Sequence, residues 1–139
     1  MTTKLNGMAH GKLNLTLEII GRRRDGFHEI RSLIQAISIY DVISVKEARD
    51  LTINCDLSGV PTHQNIAYKA AELMRGRYQI KSGAEISIQK GIPVSAGLGG
   101  GSSDAAMVLK LLNQMWELDL PLSDLVELST EVGSDVPFF

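Results

Sequence analysis

The sequence has almost no cysteine, no long hydrophobic run and no excess of charge of either sign. Cys55 is the one cysteine among 139 residues. That excludes an intrachain disulfide and any cysteine-built metal cluster. Its place in Leu51-Thr52-Ile53-Asn54-Cys55 predicts a small, buried strand residue. No stretch approaches the roughly 20 apolar residues a membrane span needs, and Met1 to Met8 lacks the apolar core of a secretory signal. Fourteen Lys and Arg stand against sixteen Asp and Glu, a formal charge of −2, so there is no electrostatic case for nucleic acid. Arg22-Arg23-Arg24 is a local run met at once by Asp25; a solvated turn and a contact to a phosphorylated substrate both fit it. Repeats and low-complexity tracts are absent. What remains is one globular domain, 44% hydrophobic and 22% charged, expected in the cytoplasm.

The hydrophobic pattern predicts the elements. Leu13, Leu15, Leu17 and Ile19 alternate with Lys12, Asn14, Thr16 and Glu18, which predicts a half-buried strand with Lys12 and Asn14 on one polar face. Asp25-Gly26 marks a turn. Phe27 to Ile39, Asp41 to Glu47 and Leu51 to Cys55 read as further strands, and Asp56 to Gln64 as a loop. Ile66, Ala70, Leu73 and Met74 recur at helical spacing behind Asn65, a good N-cap. Ala84, Ile86 and Ile88 mark another strand. Asp104 to about Leu118 predicts a strong helix, with Met115 and Trp116 in its core stripe; Asp104 suits its N-terminus electrostatically. Ser123 is expected to cap a shorter helix that Gly133 ends, and Val136 to Phe139 to open a strand. Strands first and helices later favour an α+β fold over a doubly wound sheet. The chain stops on Phe138-Phe139, and we expect a piece of a longer protein.

Most information lies in Pro93-Val94-Ser95-Ala96-Gly97-Leu98-Gly99-Gly100-Gly101-Ser102-Ser103-Asp104. Glycines let a backbone turn tightly and approach a ligand without Cβ clashes. The loop runs into a helix, whose first N–H groups and positive dipole end attract anions. Ser102 and Ser103 can add hydroxyl donors or help hold a metal bound to phosphate. Together these residues predict a polyphosphate site. No Lys follows the glycines, so the Walker pattern is absent. The dinucleotide pattern fails as well, since its last position, counted from Gly97, is Ser102.

Gly97 to Ala106 resembles the phosphate-binding motif of the GHMP kinases (galactokinase, homoserine kinase, mevalonate kinase and relatives). Lys12-Leu13-Asn14-Leu15, Arg24-Asp25-Gly26-Phe27-His28 and Gly133-Ser134-Asp135-Val136-Pro137 extend the resemblance from about Gly11 to Phe139. The four motifs in this order are similar to the branch of the family that phosphorylates a cytidine diphosphate-linked polyol. The family has Pro-Ala where this chain has His10-Gly11, and commonly Tyr where it has Phe27.

The resemblance implies an N-terminal ATP-binding domain over residues 1–139, with a mainly antiparallel mixed sheet packed with helices (ribosomal protein S5 domain 2-like), and a C-terminal domain that this chain lacks. It implies Asp135 as the base that takes the substrate's hydroxyl proton and Lys12 as its neighbour. It implies Gly97, Leu98, Gly99, Gly100, Gly101, Ser102 and Ser103 around the triphosphate, with Pro93 and Ser95 also among the ATP-binding residues. Asn65 and Lys90 would lie near the adenine. Asn14 would hold the polyol, and Phe27 and His28 the cytosine. ATP and Mg²⁺ are the implied cofactors, with no residue assigned to the ion. His10 and His63 lack a second ligand at metal spacing. Two other readings stay open: another GHMP kinase, on homoserine, mevalonate or a sugar, and a non-catalytic nucleotide-binding fragment.

Overall fold

The computed structural model describes residues 3–56 and 61–139; the part of the expected Asp56–Gln64 loop that includes Gly59 lies outside them. Strands β1 (Lys4–Arg22) and β2 (His28–Ala48) form a long antiparallel hairpin. Its turn is closed by Gly26, at φ +90°, and by the Phe27 N–H donating to Asp25 Oδ1 at 3.1 Å. Strand β3 (Leu51–Cys55) runs parallel to β4 (Gly83–Gln89). Helix α1 (Ile66–Arg77) supplies the crossover that a parallel pair needs. Helix α2 (Gly100–Met115), helix α3 (Leu122–Val132) and a 3₁₀ turn at Val136–Phe138 complete the fold. The sheet order is β1-β2-β4-β3, which gives the α+β architecture.

Alternation explains why one sheet face is covered. Ile43 pairs with Ile88 and Val45 with Ile86, and all four side chains are buried with Ala9, Ala84, Ala105, Val108, Leu109 and Leu112. These residues join Ala67, Ala70, Ala71 and Met74 of α1 and Leu128 of α3 in one cluster. The intervening Val42, Ser44 and Lys46 of β2 are less buried, and Val42 is exposed, as expected of a sheet with one open side.

Several expectations are corrected. The strand expected from Lys12 starts at Lys4, and the two strands expected over Phe27–Ile39 and Asp41–Glu47 are one, because Asp41 is fully buried and partnered rather than a break. Leu13, Leu15, Leu17 and Ile19 are not half-buried; they are 43 to 65% exposed. The hairpin arm carrying them projects past the helices, and pairing shifts between Asn14 and Thr16 and between Ile19 and Gly21 interrupt their alternation. Helix α2 starts at Gly100, not Asp104, because Ser103 N–H already bonds Gly99 O at 2.9 Å. Helix α3 starts at Leu122; Pro121 O accepts from Asp124 and Leu125 N–H, and Ser123 caps nothing. Val136–Phe138 forms a 3₁₀ turn, not a strand; Pro137 has no N–H to give a ladder. Cys55 is half-buried.

Candidate active site

The loop between β4 and α2 lies against β1. Lys12 N–H donates to Leu98 O at 2.8 Å, so the strand that carries Lys12 is fastened to the glycine loop. Gly99 precedes the helix with φ +70°, and a Cβ there would stand 3.0 Å from Lys12 Cγ and Cε. Both facts favour glycine. Beyond it, the N–H groups of Gly100, Gly101 and Ser102 open the helix, where no intrahelical carbonyl precedes them. The first turn of α2 holds no acidic residue. The result is a concave run of amide hydrogens at the positive end of a 16-residue helix.

This surface walls a hollow of about 380 Å³. Of the expected nucleotide-site residues, Asn65, Lys90, Pro93, Ser95, Gly97, Leu98, Gly99, Gly100 and Gly101 line it together; Cys55, Gln64, Ile66 and Asp104 join them unforeseen. Ser102 and Ser103 do not line it. Ser103 is buried. Asn65 spends its side chain on the helix, Oδ1 accepting from Ala67 N–H at 2.9 Å. Ser95 takes φ +59°, an uncommon conformation for a residue with a Cβ and one that recurs at functional loops. Larger hollows occur near Trp116 and near Arg77, but neither contains the glycine loop; Lys12 and Asp135 line none of the three.

On the other side of Gly99, Lys12 Nζ lies 3.7 Å from Asp135 Oδ2. The Lys12 side chain is 6% exposed and that of Asp135 53%. Asp135 stands just ahead of the 3₁₀ turn, whose Val136 is buried and holds the segment down. An amide cradle, a covered ammonium and an open carboxylate thus stand in succession from Gly99 through Lys12 to Asp135.

The other expected substrate residues lie along the hairpin. Asn14 is exposed, with Oδ1 accepting from Ser32 Oγ at 3.1 Å. His28 pairs with Arg22 at the hairpin's far end, ten residues along β1 from Lys12 and hence roughly 30 Å at ordinary strand rise. Phe27, beside it, is 72% exposed. The structure does not bring these two residues to the Lys12–Asp135 pair.

A charge cluster behind the cradle went unread in the sequence. Lys90 Nζ lies 2.6 Å from Asp41 Oδ2 and 3.0 Å from Asp104 Oδ2. Asp41 Oδ1 accepts from Gly91 N–H at 2.7 Å and Ile92 N–H at 2.8 Å. Burial pushes Asp41 upward, but the bonds from its partners outweigh it and hold the carboxyl below its ordinary value. Burial likewise acts to lower Lys90, and the two carboxylates raise it above the usual lysine value. The available signal was a lone carboxylate within Ile39-Tyr40-Asp41-Val42-Ile43: a charge at an inward strand position needs a buried partner.

Residues 65–139 match the family model of the GHMP kinases N-terminal domain. The chain belongs to that family. It is 48% identical over 132 residues to 4-diphosphocytidyl-2-C-methyl-D-erythritol kinase of Clostridium botulinum (strain Langeland), which covers 94% of this chain and 47% of the relative. A crystal structure of 4-(cytidine 5′-diphospho)-2C-methyl-D-erythritol kinase superposes with a TM-score of 0.82 at 36% identity, over 97% of this chain and 48% of that one. Homoserine kinase from Cytophaga hutchinsonii shares the fold at 14% identity, with a TM-score of 0.70 over 93% of this chain and 40% of that one. The chain thus spans about half the length of the curated relatives it matches.

Proposed function

We propose that residues 1–139 are the N-terminal, ATP-binding part of a small-molecule kinase that phosphorylates a hydroxyl of 4-diphosphocytidyl-2-C-methyl-D-erythritol, in the cytoplasm, toward isoprenoid precursors by the non-mevalonate route. The observation that carries this reading is Lys12 standing between Gly99 of the cradle and Asp135. Phosphoryl transfer asks a protein for positioning and charge neutralisation more than for covalent chemistry. Asp135 takes the proton as the substrate oxygen bonds to the γ-phosphorus and the bond to the β-phosphate oxygen breaks. Lys12 stands 3.7 Å from the Asp135 carboxylate and offsets the charge that builds between acceptor and donor. The glycine-loop amides hold the leaving diphosphate.

A triphosphate suits the hollow: its wall carries the Gly100 and Gly101 amides, which no intrahelical carbonyl takes, and a Cβ at Gly97 would meet nothing within 4 Å. For Mg²⁺ the described residues hold no group of three or more His, Cys, Asp or Glu side chains placed to bind a metal. The ion would arrive with the triphosphate, and no residue is assigned to it.

Asn14, Phe27 and His28 hold the polyol and cytosine in this reading, which requires the hairpin to bend toward the site; the interrupted pairings near Leu15 and Ile20 are where it is weakest. The half that the relatives have in addition would complete the substrate wall and exclude water, so this chain alone is expected to bind ATP better than it turns over. The test is phosphoryl transfer offered to the cytidylated polyol, to methylerythritol, to homoserine and to mevalonate, with ATP binding read in parallel. Transfer to the first alone upholds the proposal. Transfer to homoserine or mevalonate instead selects another kinase of the family, and failure to bind ATP removes the kinase reading altogether.

A further inference from the structure

The cluster behind the cradle has one ammonium for two carboxylates. Asp41 is fully employed: one oxygen takes two backbone N–H groups and the other takes Lys90. Asp104 is not. Lys90 engages its Oδ2, while Oδ1 is sealed from water with no hydrogen-bond partner. The residue is 3% exposed and lines the glycine hollow. A buried carboxylate oxygen without a donor is far costlier than a neutral carboxyl in the same place.

We propose that Asp104 acts as a neutral carboxylic acid, a positioning residue that leaves the Asp41–Lys90–Asp104 triad without net charge, and that a polyphosphate in the hollow and the proton on Asp104 stabilise one another. This rests on reading the hollow as a polyphosphate site. With Asp104 protonated, the triad sums to zero; ionised, it places one uncompensated negative charge in the wall of an anion site, beside the first turn of α2. Gly100 abuts the triad directly, since a Cβ there would lie 3.2 Å from Lys90 Nζ. Binding linkage is reciprocal, so if a proton aids the anion, the anion holds the proton.

The surroundings agree. Burial first, and the neighbouring Asp41 carboxylate next, push Asp104 from its ordinary 3.8 to about 8, against the opposing pull of Lys90. β2 brings Asp41 and the end of β4 brings Lys90. β3 adds the Cys55 thiol to the hollow, α1 lines it with the apolar Ile66, and Lys12 of β1 packs on Gly99.

The experiment is ATP binding by calorimetry from about pH 7.5 to about pH 9.5, with a carbon-13 titration of the Asp104 carboxyl. The wild-type chain should lose about tenfold in ATP affinity across that range. Asp104→Asn, permanently neutral and of the same shape, should keep at the alkaline end the affinity that the wild type has at the lower end. The Asp104 carboxyl should titrate near 8 without ATP and higher with it. ATP binding with a flat wild-type profile overturns the inference but leaves the site standing, as does an Asp104→Asn chain that loses affinity with pH as the wild type does. No ATP binding at any pH removes the polyphosphate reading. The resonance then decides separately whether Asp104 is a neutral acid, and a midpoint near 4 says it is not.

Discussion

The Lys12 ammonium lies 3.7 Å from the Asp135 carboxylate, with the amine nearly sealed and the acid half open to water. The pairing is asymmetric in a useful way. The cation is held in place by packing on Gly99 and by its own backbone bond to Leu98. The carboxylate stays open to solvent.

Asp135→Asn removes the proposed base and keeps the shape. Phosphoryl transfer should fall by about 100-fold to 10,000-fold, the usual worth of general-base catalysis, with ATP affinity within about twofold. Loss of ATP binding in step with transfer would show that Asp135 holds the fold instead.

Gly100→Val fills the cradle. Its Cβ would stand 3.2 Å from both Lys90 Nζ and Ile92 Cγ2, tighter than ordinary contact, so the cradle backbone or these side chains must shift to admit it. ATP affinity should fall at least about tenfold as the backbone is kept from the phosphates. An unchanged dissociation constant in a folded variant would take the phosphate site away from this loop.

Stability should depend on pH through Asp104. The folded chain keeps a proton up to about pH 8 that the unfolded chain releases near 3.8. Unfolding therefore releases a proton between those values, and stability falls as pH rises through that window, levelling off above it. Asp41 works the other way: its lowered value adds stability that is lost as pH falls through the acid range. Denaturant midpoints at about pH 6 and about pH 8.5 should drop for the wild type and stay level for Asp104→Asn. Parallel drops in both would assign the effect elsewhere.

Asn65 divides two roles. As the cap of α1 it should cost about 1 kcal/mol when changed to Ala, and much less when changed to Asp. As a contact to adenine, either change should weaken ATP binding. Thermal melts and binding isotherms on both variants separate the roles; a melt unmoved by Asn65→Ala would refute the cap.

The sequence displayed the parts of this fold that depend on local pattern. Helix α1 begins after Asn65 because that residue both ends the preceding turn and accepts the Ala67 N–H. Ala84, Ile86 and Ile88 are buried as their alternation requires. The glycine loop was legible because several small residues before an amphipathic helix have few other uses. What stayed hidden depends on distant partners. Leu13 to Ile19 show a strand pattern, but nothing local says whether another surface lies over the leucines. Asp41 and Lys90 are 49 residues apart, and only the pairing of β2 with β4 brings them together. Residues 136–138 are apolar enough for a strand, and only the missing Pro137 N–H argues for the turn that forms.

Because one residue both ties strand to loop by its amide and reaches the acid by its side chain, the proposed chemistry is sensitive to chain length rather than to composition alone. Deleting or inserting a single residue between Met8 and Lys12 would present Gly11 or Leu13 to Leu98 and turn the amine toward the opposite face of the sheet. Such a variant would keep its helices and its glycine hollow and is expected to lose transfer, an outcome that no survey of single substitutions would expose.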